Sequence, residues 1–127
     1  MLGKSDATPM LAVKDVDRAK QFYRDTLGLK PTSEDGDKWF MLKSGDTDIT
    51  VYKSEFAGTN KATALTFEVD DIDSEVQELK GKGIFFEHYE LEGLTPKGDF
   101  YEGPKGFRTA WFKDPDGNIL SLMEGSE

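Results

Sequence analysis

The chain uses one unit twice. The stretches PMLAVKDVDRAKQFYRDTLGLKPT (residues 9–32) and LTFEVDDIDSEVQELKGKGIFFE (65–87) place Val13 and Val69, Asp15 and Asp71, and Asp17 and Asp73 at one common separation of 56 positions. Further on, KWFMLKSGDTDITVY (38–52) and AWFKDPDGNILSLME (110–124) place Trp39 and Trp111, Phe40 and Phe112, and Gly45 and Gly117 at a common separation of 72. A repeat this long that occurs only twice disfavours a solenoid, whose units are shorter and more numerous. It points instead to a fold assembled from two similar halves.

Each half begins with alternating residues ending in a valine, the period of a half-buried strand. Asp15 and Asp71 follow, and their carboxylates suit helix N-caps, where they accept amides that the first turn leaves unbonded. Val16, Ala19, Tyr23 and Leu27 then recur at helical spacing, as do Ile72, Val76 and Leu79. Gly28, and Gly81 or Gly83, are natural C-terminal stops. Apolar stretches from Leu29 onward and over Ile84-Phe85-Phe86 return the chain to strand, and both Trp-Phe segments read as strand, turn, strand. Each half is therefore predicted as β-α-β-β-β. Residues 91–107, LEGLTPKGDFYEGPKGF, hold four glycines and two prolines and read as a loop interrupting the second half. Such a loop is either functional or a packed connector.

A length of 127 residues suits one domain that buries a real core, here residues 1–127 with module 1 over about 7–56 and module 2 over about 62–124. Acids outnumber Lys and Arg by 25 to 16, for a net charge of −9. That sign argues against nucleic acid as a partner and suits either simple solubility or a cationic ligand. No apolar run approaches the ~20 residues of a membrane span, and the N-terminus has no signal-peptide core, so a cytoplasmic location is expected. There is no cysteine, hence no thiol nucleophile, and His88 is the single histidine, so one chain cannot build a two-histidine metal site. The context of His88, FFEHYELEG, reads as a strand without a nearby serine. The DPDGN run at 114–118 holds two carboxylates, but proline second and glycine fourth break calcium-loop spacing. A hairpin turn is expected there.

Three stretches, LAVKDVDRAKQFYRDTLGL, TFEVDDIDSEVQEL and GPKGFRTAWFKDPDGNILSLME, together resemble the vicinal oxygen chelate superfamily over roughly residues 7–124. That group holds glyoxalase I, extradiol dioxygenases, fosfomycin-resistance transferases and bleomycin-resistance binding proteins. The resemblance implies an α+β fold of two tandem βαβββ modules, forming a curved mixed sheet around a cleft and commonly completed as a homodimer. In metal-using members a His or Gln, a His and two Glu side chains hold the ion. The matching positions here are Thr8, Thr50, Ala64 and Ser121. Hydroxyls without imidazole or carboxylate are weak ligands, and alanine offers none. The resemblance therefore implies no metal and no other cofactor, closest in character to the metal-free bleomycin-resistance-like members.

Alternation then assigns faces. Leu11, Val13, Ile49, Val51, Leu65, Phe67, Val69, Leu120 and Leu122 are expected to pack on the helices. Thr8, Met10, Ala12, Asp48, Thr50, Tyr52, Ala64, Thr66, Glu68, Ile119, Ser121 and Met123 are left for the cleft. Trp39, Trp111, Phe100 and Tyr101 offer stacking surfaces or else core or interface packing, and Arg108 could hold an anion or form a surface ion pair. Such a lining suits a small organic molecule, cationic or aromatic, sequestered without chemistry as in antibiotic resistance. The alternative is an enzyme of lyase, isomerase or dioxygenase type with a non-standard site and Glu68 as base. A regulatory or structural partner protein using the same scaffold is a third reading.

Overall fold

A computed structural model describes residues 1–125. The fold is α+β, and the chain divides into two compact units, Met1–Thr59 and Asn60–Glu127.

In the first unit, strand β1 (Met10–Val13) leads into helix α1 (Val16–Gln21), followed by β2 (Lys30–Asp35), β3 (Trp39–Ser44) and β4 (Thr47–Lys53). The sheet order is β1-β4-β3-β2, with β1 parallel to β4 and the remaining pairs antiparallel. Asp15 caps α1, its carboxylate accepting the Arg18 amide at 3.1 Å. The helix then widens into a π-helical turn over Phe22–Thr26, in which the Leu27 amide donates to the Phe22 carbonyl. Gly28, at φ 77°, ends it in the left-handed region that glycine adopts without strain. Val16, Ala19 and Tyr23 of this helical run are buried, as are Leu11, Val13, Phe40, Leu42, Ile49 and Val51 of the sheet. Each buried Val, Leu, Ile or Phe side chain among them contributes roughly 1.5–3 kcal/mol by leaving water.

The second unit repeats the plan with additions. Strand β5 (Thr63–Glu68) and helix α2 (Ile72–Gly81) are followed by a two-residue strand β6 (Phe86–Glu87). Then come β7 (Thr95–Lys97), β8 (Phe100–Glu102), β9 (Arg108–Lys113) and β10 (Ile119–Glu124). The order is β5-β10-β9-β8-β7, with β6 also paired to β9 and β5 parallel to β10. Asp71 caps α2 as Asp15 caps α1, accepting the Ser74 amide at 3.2 Å. A second acid closes that helix end, since Glu124 Oε1 accepts the Ile72 amide at 2.8 Å. Ile72, Val76 and Leu79 share the core with Phe86, Ala110, Phe112, Leu120 and Leu122.

Three features differ from the sequence reading. The presumed loop over 91–107 contains the hairpin β7–β8, which extends the sheet. Glycines and Pro96 concealed it, and Pro96 is tolerated because β7 lies at the sheet edge. The segment around His88 is strand only at Phe86–Glu87. Finally, the two Trp-Phe pairs are not structurally equivalent. Thr50 pairs with Met41 and Ser121 pairs with Trp111, so the ladder matches Met41, not Trp39, to Trp111. The cause is loop length. Ser44 and Thr47 close over the two-residue turn Gly45-Asp46, whereas Lys113 and Ile119 close over the five residues of DPDGN. There Asp114 is buried and its carboxylate accepts the amides of Asp116 and Asn118 at 2.9 Å and the Asn118 side chain at 2.8 Å. This is a turn held by its own first residue, as an Asx-type turn is.

Candidate functional site

In each unit the sheet has one face against its helix and one face away from it. On the outward face of the first unit the ladder builds a small grid. Met10, Thr50 and Met41 form one row across β1, β4 and β3, and Ala12, Tyr52 and Trp39 form the next. Neighbouring strands run roughly 4.8 Å apart, so each row is a contiguous strip. Met10 is 59% exposed and Tyr52 36%, while Ala12, Trp39, Met41 and Thr50 are half-buried. This patch is uncharged and rich in sulfur and aromatic rings. Beyond it, Lys43 and Asp48 face one another as an ion pair at 3.8 Å.

The second unit builds the same grid from different chemistry. Thr66, Ser121 and Trp111 form one row across β5, β10 and β9, and Glu68, Met123 and Thr109 form the next. Thr66 and Ser121 share a 2.7 Å hydrogen bond between hydroxyls, with Ser121 buried and Thr66 exposed. Glu68 is exposed beside half-buried Met123. Trp111 is fixed from several sides. Its indole N–H donates to the Thr63 hydroxyl at 3.2 Å, and the rings of Tyr89 and Tyr101 each lie 5.6 Å away. Lys113 closes this face with Glu87 at 3.5 Å, as Lys43 does with Asp48.

Tyr89 escaped the sequence reading. Glu87 pairs with Trp111, and Tyr89 lies two positions further on, so alternation from Glu87 was the available signal. Burial, reinforced by the nearby Glu87 carboxylate, pushes the Tyr89 phenol above its ordinary pKa.

Two candidate ligand residues are engaged by other side chains and backbone. Arg108 shares the helix-side parity of Ala110 and Phe112. There its guanidinium reaches Glu102 at 3.2 Å and Glu124 at 3.7 Å and lies 5.4 Å over the Phe100 ring. It is thus an ion-paired residue at the edge of the helix-side face, and Phe100 goes with it. Tyr101 is 2% exposed and its hydroxyl accepts the Tyr89 amide at 2.6 Å. It supports Trp111 and offers no open ring face.

The four positions matching the metal ligands of the resembled family can now be tested by donor chemistry. Thr8 and Ala64 are exposed, Thr50 is half-buried, and the Ser121 hydroxyl is engaged by Thr66. Three neutral hydroxyls and a methyl group do not fit a divalent metal held by imidazole and carboxylate. Among the described residues no three His, Cys, Asp or Glu side chains converge as a metal-holding group. Nor, among those residues, is any helix long and apolar enough to cross a membrane.

A family profile described as the Glyoxalase/Bleomycin resistance protein/Dioxygenase superfamily matches residues 7–122, and the chain belongs to that superfamily. An uncharacterised protein of Bacillus subtilis (strain 168), YraH, is 27% identical over 129 aligned residues, covering 90% of this chain and 93% of its own. Among solved structures, the bleomycin-binding protein of bleomycin-producing Streptomyces verticillus, complexed with copper(II)-bleomycin, is 25% identical. It superposes with a TM-score of 0.71 over 99% of this chain and 100% of that one. Lactoylglutathione lyase from Agrobacterium tumefaciens is 20% identical with a TM-score of 0.74, covering 96% and 94% of the two chains, and shares the fold.

Proposed function

We propose that the protein is a metal-free small-molecule binder that sequesters an aromatic or cationic compound without transforming it. The observation that carries this reading is the outward grid of the first unit, where Trp39, Tyr52, Met10 and Met41 present adjoining apolar and aromatic surface around one hydroxyl, Thr50. Flat rings and polarisable sulfur suit an aromatic body, and a single hydroxyl fixes orientation. Glu68, on the outward face of the second unit, is an exposed carboxylate that can meet a positive charge there. The net charge of −9 draws cations toward the protein as a whole. The unfit donor set at Thr8, Thr50, Ala64 and Ser121 supports binding over metal catalysis.

The test is a thermal-shift and tryptophan-fluorescence screen with glycopeptide antibiotics and planar aromatic cations. A binder at a hundredfold excess over its Kd raises stability by about 2.7 kcal/mol. Failure of every compound to shift the melting point would overturn the reading. Elemental analysis checks the metal-free part, since stoichiometric nickel, zinc, iron or manganese would refute it. We further propose a homodimer, the assembly that commonly completes the two-module fold in the resembled superfamily. Native mass spectrometry distinguishes one copy from two.

A further inference from the structure

We infer that Met10 is an oxidation site whose sulfoxide weakens ligand binding to the first unit's outward face, an inference that rests on the function proposed above. The chain has no cysteine, so methionine sulfur is its only soft nucleophile. Of its four methionines, Met1 lies ahead of the sheets, and Met10, Met41 and Met123 all lie on outward grids. Met10 differs from the other two grid methionines in two ways. It is 59% exposed whereas they are half-buried, and it sits at the first position of β1, the strand that ends the four-stranded sheet.

The chemistry needs only a hydroperoxide. A sulfur lone pair attacks one peroxide oxygen, the O–O bond breaks and an S–O bond forms. The displaced hydroxide takes the remaining proton and leaves as water. Sulfur is oxidised by two electrons and the peroxide is reduced by two. The product replaces an apolar thioether with a polar, chiral sulfoxide. Its neighbour across the ladder is Thr50, whose hydroxyl can donate to the new oxygen and hold it on the face. A ligand that covered the thioether must then cover a solvated dipole, which lowers its affinity roughly tenfold or more. Because Met10 is exposed and outside the core, the fold survives the change.

The experiment uses the full chain, hydrogen peroxide as oxidant and ethidium as the aromatic cationic probe, read by tryptophan quenching. Peptide mapping should show oxygen added at Met10 well before Met41 and Met123. The treated protein should bind ethidium at least about tenfold more weakly with an unchanged circular-dichroism spectrum, and methionine sulfoxide reductases should restore binding. In Met10→Leu the ratio of treated to untreated affinity should stay near one, whatever the variant's starting affinity. Oxidation of Met41 or Met123 first, or an undiminished affinity after Met10 is fully oxidised, overturns the switch alone. An equal loss in Met10→Leu also overturns it. No binding of ethidium or any other screened cation by the untreated protein overturns the ligand-face reading and the switch with it.

Discussion

The outward faces of the two units share a backbone and differ in nearly every side chain. Where the first unit has Met10, Thr50 and Met41, the second has Thr66, Ser121 and Trp111. Where the first has Ala12, Tyr52 and Trp39, the second has Glu68, Met123 and Thr109. The first face is uncharged and partly open. The second is polar and internally bonded, its hydroxyls paired and its tryptophan held by Thr63, Tyr89 and Tyr101. A duplicated scaffold has thus kept its helix-side core while the two outward faces took up separate chemistries, as expected when function is grafted on fold.

The sharpest test of that contrast compares the tryptophans. Trp111→Ala removes a ring with two aromatic neighbours and a hydrogen bond, and should cost about 2–3 kcal/mol in urea denaturation. Trp39→Ala removes a half-buried ring from the open face and should cost roughly 1 kcal/mol, while weakening aromatic ligands far more than Trp111→Ala does. Equal costs would erase the distinction between a structural and a binding tryptophan.

The hydroxyl pair gives a smaller, asymmetric effect. Thr66→Val strands the buried Ser121 hydroxyl and should cost about 1–2 kcal/mol. Ser121→Ala leaves an exposed Thr66 that water can satisfy and should cost less than about 1 kcal/mol. The double variant should be less destabilised than the sum of the two, a non-additivity that chemical denaturation resolves.

The smallest effect concerns the hairpin that only the second unit carries. Asp99, in its turn, accepts from Lys80 of α2 at 2.7 Å and lies 3.1 Å from His88. The Lys80 hydrogen bond, more than any other influence favouring the charged form, holds the Asp99 carboxyl below its ordinary pKa. A depressed acid contributes stability that is present above the unfolded-state value, about 3.9, and lost as pH falls through the folded value. Wild type should therefore lose stability below about pH 4 somewhat more steeply than Asp99→Asn. Parallel slopes in acid melts would detach the hairpin from α2.

Much of the fold was legible because its determinants are local. Asp15 and Asp71 cap their helices as their spacing predicts, and strict alternation placed Leu11, Val13, Ile49, Val51, Leu120 and Leu122 on the buried side. Period two also assigned Met10, Thr50, Tyr52, Glu68, Ser121 and Met123 to the outward faces. Alternatives stayed open where a residue was weighed by type instead of by parity. Arg108 drew attention as a charge, yet two steps along its strand lies buried Ala110. Tyr101 drew attention as a ring, yet its position was set by a hairpin too short and too rich in glycine and proline to show a period. Register across each β-hairpin was likewise hidden, because it depends on turn length and not on matching letters.

The offset of the two Trp-Phe pairs carries a lesson about how duplicated sheets diverge. The pairs match in sequence at 72 positions but in the ladder at 70, so the strand slid by two. A slide of one would have turned Phe40 or Phe112 outward and exposed the core. A slide of two moves each side chain along its own face and leaves inside and outside unexchanged. The turn itself need not change evenly, since the two turns differ by three residues, two against five, while each strand keeps its own parity. Each even slide of a strand deals a new outward grid without disturbing the core, which makes strand register a heritable means of changing what the face recognises.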